Sequence, residues 1–455
     1  MPPTPPRVVG PLGAIALVVG SMVGVGILLT PPIVARAVDG VGGFLGLWAA
    51  GGLVSLCGAA CYAELGAMMP RGGGDVVFQR EAFGGPLAAA SGVVVFAVAF
   101  AASIAVMATA VGTYQAQTLA DAALGAGALD LSVAVGPIPI SGAALVALGI
   151  IGLTTGINLL GARLASRVQA TLTVVPVVVL TGLALAVLLG APVEAPPPPP
   201  PPESSTLLEA WLAVYFTFAG WPTVVYLAGE VRNPGRNVGI ATVGGTLLVT
   251  ALYMLVGVAL VAAFGLDGLA GLGESGTALA KALLGPSGGV AMAVLVGIAI
   301  LSAVNATVLA GARIAAALAH QGVLPSALGR LAKDSGAPRV ALLVQAALAA
   351  AYVVSGTFTA ILAASGVAMM LVGALTVAAA LRLRHTIPDA DRPFRVPALP
   401  LVAGIYVLVG AVVVAGSLVT AAATGDLGTQ LVGVGILAVS WLGFWFKSRA
   451  SQPQL

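Results

Sequence analysis

Eleven stretches of at least twenty residues carry no charged side chain: 8–35, 40–63, 82–120, 131–162, 168–193, 210–229, 237–266, 282–312, 340–381, 396–425 and 427–446. A bilayer's hydrocarbon core is crossed by about 20 helical residues, so each stretch is long enough to span it. Run 340–381 is too long for one helix and is interrupted by 355-SGTFT-359, so it reads as two. Run 82–120 ends in the polar 112-GTYQAQT-118 and reads as one. The count predicts an all-α integral membrane protein with twelve transmembrane helices. Charged residues make up 8% of the chain, against about 25% in soluble domains, which leaves no room for a large soluble domain. The N-terminal MPPTPPRVVG lacks the apolar region and cleavage site of a signal peptide, and the run after it is the first span.

With the N-terminus placed in the cytoplasm and the spans alternating, 17 of the 19 Lys and Arg residues fall inside, and only Arg36 and Lys281 fall outside. This is the distribution that orients membrane proteins. It puts both termini in the cytoplasm, and the basic residues need no nucleic-acid partner. Cys57 and Cys61 lie one helical turn apart in the second span and read as small packing residues. Too few ligands gather for a metal site, and nothing calls for a cofactor. The stretch 196-PPPPPPP-202 reads as a stiff outer connector.

The first span contains 20-GSMVGVG-26, three glycines in seven residues. Glycine is a poor helix former, and a broken helix in a bilayer strands its N–H and C=O groups unless it lines a cavity. Span six repeats the device. In 218-FAGWP-222, Pro222 cannot donate to the Phe218 carbonyl. Two interrupted helices five spans apart point to an inverted-repeat transporter. The freed amides of Gly24, Val25 and Gly26, at the start of a half-helix, suit a carboxylate. The freed carbonyls near Met22, Phe218 and Ala219 suit an ammonium. A small zwitterion such as an amino acid satisfies both.

At these residues the chain resembles the amino acid–polyamine–organocation superfamily of permeases, from about residue 10 to residue 395. The resemblance rests on 24-GVGI-27, 62-YAELGAMMPRGGGDVVFQREAFG-84, 157-INLLGARLASRVQ-169, 229-GEVRNPGRN-237 and 302-SAVNATVLAGARIAAALAHQGVLP-325. It implies a five-plus-five inverted-repeat core over residues 1–395, with helices 1 and 6 discontinuous. Two additional helices and a tail then occupy 396–455. It also implies alternating access around a central amino-acid site in the cell membrane. The serine usual between the family's two glycines is Val25 here, which leans toward an apolar or small substrate. A lysine found in several relatives' fifth helix, where it replaces a sodium ion, is Pro176 here.

Around the breaks, Phe216, Phe218 and Trp221 are candidate gates over the ligand, Phe216 and Trp221 by the resemblance. Val23, Thr217 and Gly220 complete the substrate set. No acidic side chain is expected at mid-membrane, so a neutral amino acid is favoured over a cationic amino acid or polyamine. Glu64 and Glu230, at the inner ends of spans two and six, are candidates for gating or proton coupling. A family-type cation site would use carbonyls of Gly20 and Val23 with Ser302 and Asn305. With no carboxylate beside it, sodium coupling ranks below exchange or proton coupling. Residues 112–139 contain no cysteine, so no disulfide-linked partner subunit is expected. A membrane sensor or an ion-conducting protein is the competing class. A sensor would want an appended soluble domain, and a channel would want rings of carbonyls or charges.

Overall fold

The structure is a computed structural model. It describes residues 7–450 apart from 25, 126, 128, 130, 136, 137, 195–204, 356, 357, 425 and 426. The polyproline connector therefore lies outside the described residues, and so does Val25.

The chain is almost entirely helical. In order it forms α1 (Pro11–Met22), α2 (Gly26–Ala37), α3 (Gly40–Met68), α4 (Asp75–Phe83) and α5 (Gly85–Leu124). A two-stranded antiparallel hairpin, Ser132–Val135 with Ile138–Ser141, leads into α6 (Gly142–Leu159) and α7 (Ala162–Leu188). Then come α8 (Leu207–Phe218), α9 (Thr223–Tyr226), α10 (Pro234–Ala270), α11 (Ser275–Leu284) and α12 (Pro286–His320). The last four are α13 (Arg339–Ser355), α14 (Phe358–Thr386), α15 (Leu399–Thr424) and α16 (Leu427–Ala450). Among the described residues seven helices, α3, α5, α6, α7, α10, α12 and α15, are long and apolar enough to cross a membrane, and the α1–α2 pair, bent by 43°, passes the same test only when its two halves are taken together. The interruption at 355–359 falls at the α13–α14 junction, and 82–120 is one continuous helix from Gly85.

Local chemistry accounts for the departures from straight helix. Pro32 lacks an N–H and so leaves the Leu28 carbonyl free four residues back; the Ser275 hydroxyl, from α11, donates to that carbonyl at 2.7 Å. Helix α5 widens to π-helical turns at Val94–Phe100 and Val111–Ala116, a device common near functional sites. Beside the breaks, Trp48 of α3, Phe218 of α8 and Tyr253 of α10 form a buried aromatic cluster with ring centroids 5.0–6.1 Å apart. On the far side, Val9 N–H donates to the Glu230 carbonyl and Arg232 N–H to the Val9 carbonyl, both at 2.9 Å. This short parallel bridge ties the start of α1 to the segment following α9.

Candidate functional site

The two expected breaks face each other. Helix α1 stops at Met22 with Val23 extended (φ −75°, ψ 98°). Helix α8 stops at Phe218 with Ala219 extended (φ −60°, ψ 148°), and Gly220 follows at φ +118°. That left-handed conformation favours glycine, and a Cβ at Gly220 would sit 2.5 Å from the Ser21 carbonyl oxygen. The Ser21 hydroxyl lies 2.8 Å from both the Val18 and the Gly220 carbonyl oxygens, so it links one break to the other. Tyr253 of α10 places its hydroxyl 2.7 Å from the Met22 carbonyl oxygen and 3.2 Å from that of Thr217. A third helix thereby caps the ends of both half-helices, whose last carbonyls have no intrahelical donor.

Between the breaks lies a cavity of about 80 Å³. Ser21, Met22, Gly24, Gly26, Phe216, Thr217, Ala219 and Gly220 line it from the broken helices, and Phe100, Ser103 and Met107 from α5. Ala303 and Thr307 of α12 and Met369 of α14 complete the far wall. No residue of the described lining is charged. A Cβ on Gly24 would meet only the Ala303 Cβ, at 3.7 Å, so Gly24 opens onto space. Gly26 differs, because a Cβ there would come within 2.6 Å of Thr217 Oγ1. It permits close packing of α2 on α8, where the Thr30 and Thr217 hydroxyls pair at 2.8 Å.

Seven of the expected substrate residues, Met22, Gly24, Gly26, Phe216, Thr217, Ala219 and Gly220, thus share one cavity. Val23 is buried, outside that lining. Phe218 points away into the aromatic cluster with Trp48 and Tyr253. Trp221 stands edge-on to Tyr62 at 4.8 Å and lines a smaller adjoining cavity of about 40 Å³. Ser103, Met107, Thr307, Met369 and Tyr253 carry no sequence signal beyond being polar or sulfur-bearing residues inside apolar runs.

Gly20, Ser302 and Asn305 meet at the junction of α1, α7 and α12. A Cβ on Gly20 would collide with Thr173 Oγ1, Gln169 Nε2 and Ser302 Oγ, all within 2.6 Å. Gln169 Nε2 donates to Ser302 Oγ at 2.8 Å. Asn305 Nδ2 donates to Gln169 Oε1 at 2.9 Å, and Asn305 Oδ1 accepts from Asn158 Nδ2 at 2.8 Å. Thr173 Oγ1 lies 3.1 Å from the Ala16 carbonyl oxygen of α1. Neutral amides and hydroxyls thus bond one another where α1 meets α7 and α12, with the buried Asn158 Oδ1 left unpaired at its edge. Gln169, Thr173 and Asn158 could have been flagged as polar side chains inside charge-free runs, since such groups need partners at membrane depth.

Each flagged glutamate has an arginine. Glu64 Oε1 accepts from Arg384 Nε at 3.1 Å and lies 3.3 Å from Arg392 Nε, and Glu64 Oε2 accepts from the Val396 N–H at 2.7 Å. Glu230 Oε1 accepts from Arg313 Nε at 2.9 Å, with both side chains 8% exposed. A third carboxylate, Asp75 at the start of α4, is 1% exposed. Among the described residues its side-chain partners are the hydroxyls of Tyr62, Tyr226 and Thr376. Gly73 and Gly74, at φ +115° and +47°, let the chain pass tightly against the Tyr226 backbone and ring and so bring Asp75 to that hydroxyl.

The sequence model of a family described as "Amino acid permease" matches residues 9–440. The b(0,+)-type amino acid transporter 1 of Mus musculus is 27% identical over 397 residues, covering 86% of this chain and 78% of its own. The large neutral amino acids transporter small subunit 2 of Homo sapiens is 26% identical over 454 residues, covering 97% and 81%. Amino acid transporter protein 6 of Caenorhabditis elegans is 28% identical over 439 residues, covering 94% and 80%.

Proposed function

The chain belongs to the amino acid permease family, and from that premise we propose that it carries small neutral L-amino acids across the cell membrane by alternating access. Exchange or proton coupling drives it in preference to sodium. Its relatives are transporters and not enzymes. The twelve-helix, five-plus-five layout and cytoplasmic termini belong to the same proposal, as does transport without a disulfide-linked partner.

The carrying observation is the uncharged cavity of about 80 Å³ between the two helix breaks. One water needs about 10–15 Å³ of cavity, so the space is that of a few waters and suits a small amino acid better than a large one. A cationic side chain buried there would find no carboxylate in the described lining, and an unpaired charge at membrane depth is expensive. The backbone at Gly24 and Gly26 supplies donors for the carboxylate. Ranking sodium last is supported by the α1–α7–α12 junction, where Asn305 Oδ1 and Ser302 Oγ already accept hydrogen bonds from amides. A cation there would have to displace those donors and shed its water.

The test is uptake into proteoliposomes. Labelled alanine should enter saturably when unlabelled alanine is preloaded, and a sodium gradient should not increase accumulation. Alanine methyl ester, which lacks the carboxylate, should compete poorly. Arginine exchanged as readily as alanine would sink the neutral-substrate reading, and sodium-driven accumulation lost in Ser302→Ala would sink the coupling.

A further inference from the structure

We propose that Asp75 is a proton-binding site and that its carboxyl takes up and releases the proton that accompanies each amino acid; the inference rests on the transport reading above. Among the described residues three carboxylates are buried: Glu64, Asp75 and Glu230. Glu64 and Glu230 each face guanidinium groups, so their charge is paired within the fold. Asp75 is equally buried, and no described ion pair gives it such a partner. An isolated carboxylate away from water is stable only while hydrogen-bond donors compensate it.

Those donors come from three separate parts of the fold. Tyr62 belongs to α3 and Thr376 to α14, whose hydroxyl is 2.6 Å from Asp75 Oδ1. Tyr226 closes α9, the short helix directly after the second break, and its hydroxyl donates to Asp75 Oδ2. Tyr226 also lines the substrate cavity. The same side chain therefore touches the ligand space on one side and the carboxylate on the other. A rearrangement of the broken helix that withdraws Tyr226 removes one of three donors from a carboxyl that stays buried, and the neutral acid becomes the stable form. Restoring the donor returns the proton.

Two further features fit this role. A protonated carboxyl needs an acceptor, and Gln79, one helical turn beyond Asp75, has a buried Oε1 that receives no hydrogen bond. Its Nε2 donates to Thr376 Oγ1 at 2.8 Å, so the amide already belongs to the cluster. A route is also present. The adjoining cavity of about 40 Å³ is lined by Asp75, Tyr62 and Tyr226, and it shares Gly220, Pro222 and Tyr226 with the substrate cavity. At about 10–15 Å³ per water, it admits on the order of three.

The other ionisable groups on the packed elements are engaged or directed elsewhere. Tyr215 of α8 and Tyr406 of α15 pair with each other at 3.0 Å in the same cavity. On α14, Arg384 binds Glu64, Arg382 lies over the Phe83 ring, and His385 is exposed. On α12, Arg313 binds Glu230 and His320 faces the Gly329 carbonyl. Arg80 and Glu81 of α4 itself are exposed. No described ion pair reaches Asp75.

The experiment uses the purified full chain in proteoliposomes containing a trapped pH dye. Alanine counterflow reports transport as such, and alanine-dependent acidification of the lumen reports proton movement. The wild type should show both. Asp75→Asn, a permanent mimic of the neutral acid, should lose the acidification while alanine counterflow remains measurable. Thr376→Val removes one donor from outside the substrate cavity. It should move the midpoint of the uptake–pH profile upward by about one unit, the worth of one hydrogen bond to a carboxylate. Counterflow without acidification in the wild type would overturn this inference and leave the transport reading standing, whereas absent counterflow would overturn both. Acidification that persists in Asp75→Asn, or an unmoved profile in Thr376→Val, also overturns it.

Discussion

Gly24 and Gly26 are two residues apart, and the structure assigns them different jobs. Gly24 faces the cavity with open space ahead of its Cα, whereas Gly26 is pressed against Thr217. Gly24→Ala should therefore be tolerated. Gly24→Leu should abolish alanine uptake while the protein still purifies and melts at a temperature close to the wild type. Gly26→Ala should lower stability by about 1–3 kcal/mol, the usual consequence of forcing atoms into a packed interface. Melting curves beside uptake rates would separate the two, and normal uptake by Gly24→Leu would remove residues 20–26 from the binding site. Glycine density and Pro222 are local signals, so both breaks were legible in the sequence. Asp75 was not. It follows three glycines and a basic residue, the profile of a solvent-exposed loop, and is buried by Tyr226 and Thr376, 151 and 301 positions away. Ser103, Thr307 and Met369 were hidden for a related reason, since nothing within one apolar run says which face of it meets another helix.

Among elements, the contact most exposed to test is that between α12 and the turn after α9. Glu230 and Arg313 are both almost fully buried. Removing one partner of a buried ion pair leaves an uncompensated charge, at a cost of about 3–5 kcal/mol. Arg313→Ala should accordingly destabilise strongly. The double variant Glu230→Ala with Arg313→Ala should recover part of the loss in a double-mutant cycle read by thermal unfolding. A double variant no better than the single would mean that the guanidinium acts through its 2.9 Å bond to the Leu309 carbonyl instead. Helix positions were readable at this scale because charges punctuate the apolar runs and those runs set helix length. The hairpin at 132–141, α4 and α11 were not, since their periodicity is too short to stand out from loop sequence. Residues on the two sides of position 395 also meet through their side chains and backbone. The Val396 N–H binds Glu64 of α3, and Tyr406 lies edge-on to Trp221, so residues beyond 395 help build the region around the breaks.

For the whole molecule, the distribution of basic residues orients every span together, so two positions suffice to test it. Leu124, at the end of α5, is 81% exposed, and Arg80, on α4, is exposed. In a chain with Cys57 and Cys61 replaced, Leu124→Cys should react with an impermeant thiol reagent applied to intact cells and Arg80→Cys should not. The opposite pattern would invert the orientation. Gly73 is unsuitable as a reporter, since its φ of +115° and a Cβ 2.5 Å from that of Ala317 leave no room for a side chain. The uncharged cavity has an electrical meaning at this same scale. Moving one elementary charge through 100 mV is worth about 2.3 kcal/mol, but a zwitterion has no net charge and the described cavity walls add none. On the transport reading proposed above, the membrane voltage then does no work on a neutral amino acid as it crosses. It can bias the cycle only through a charge carried outside that cavity, and Asp75 is the described carboxyl beside it that no arginine neutralises.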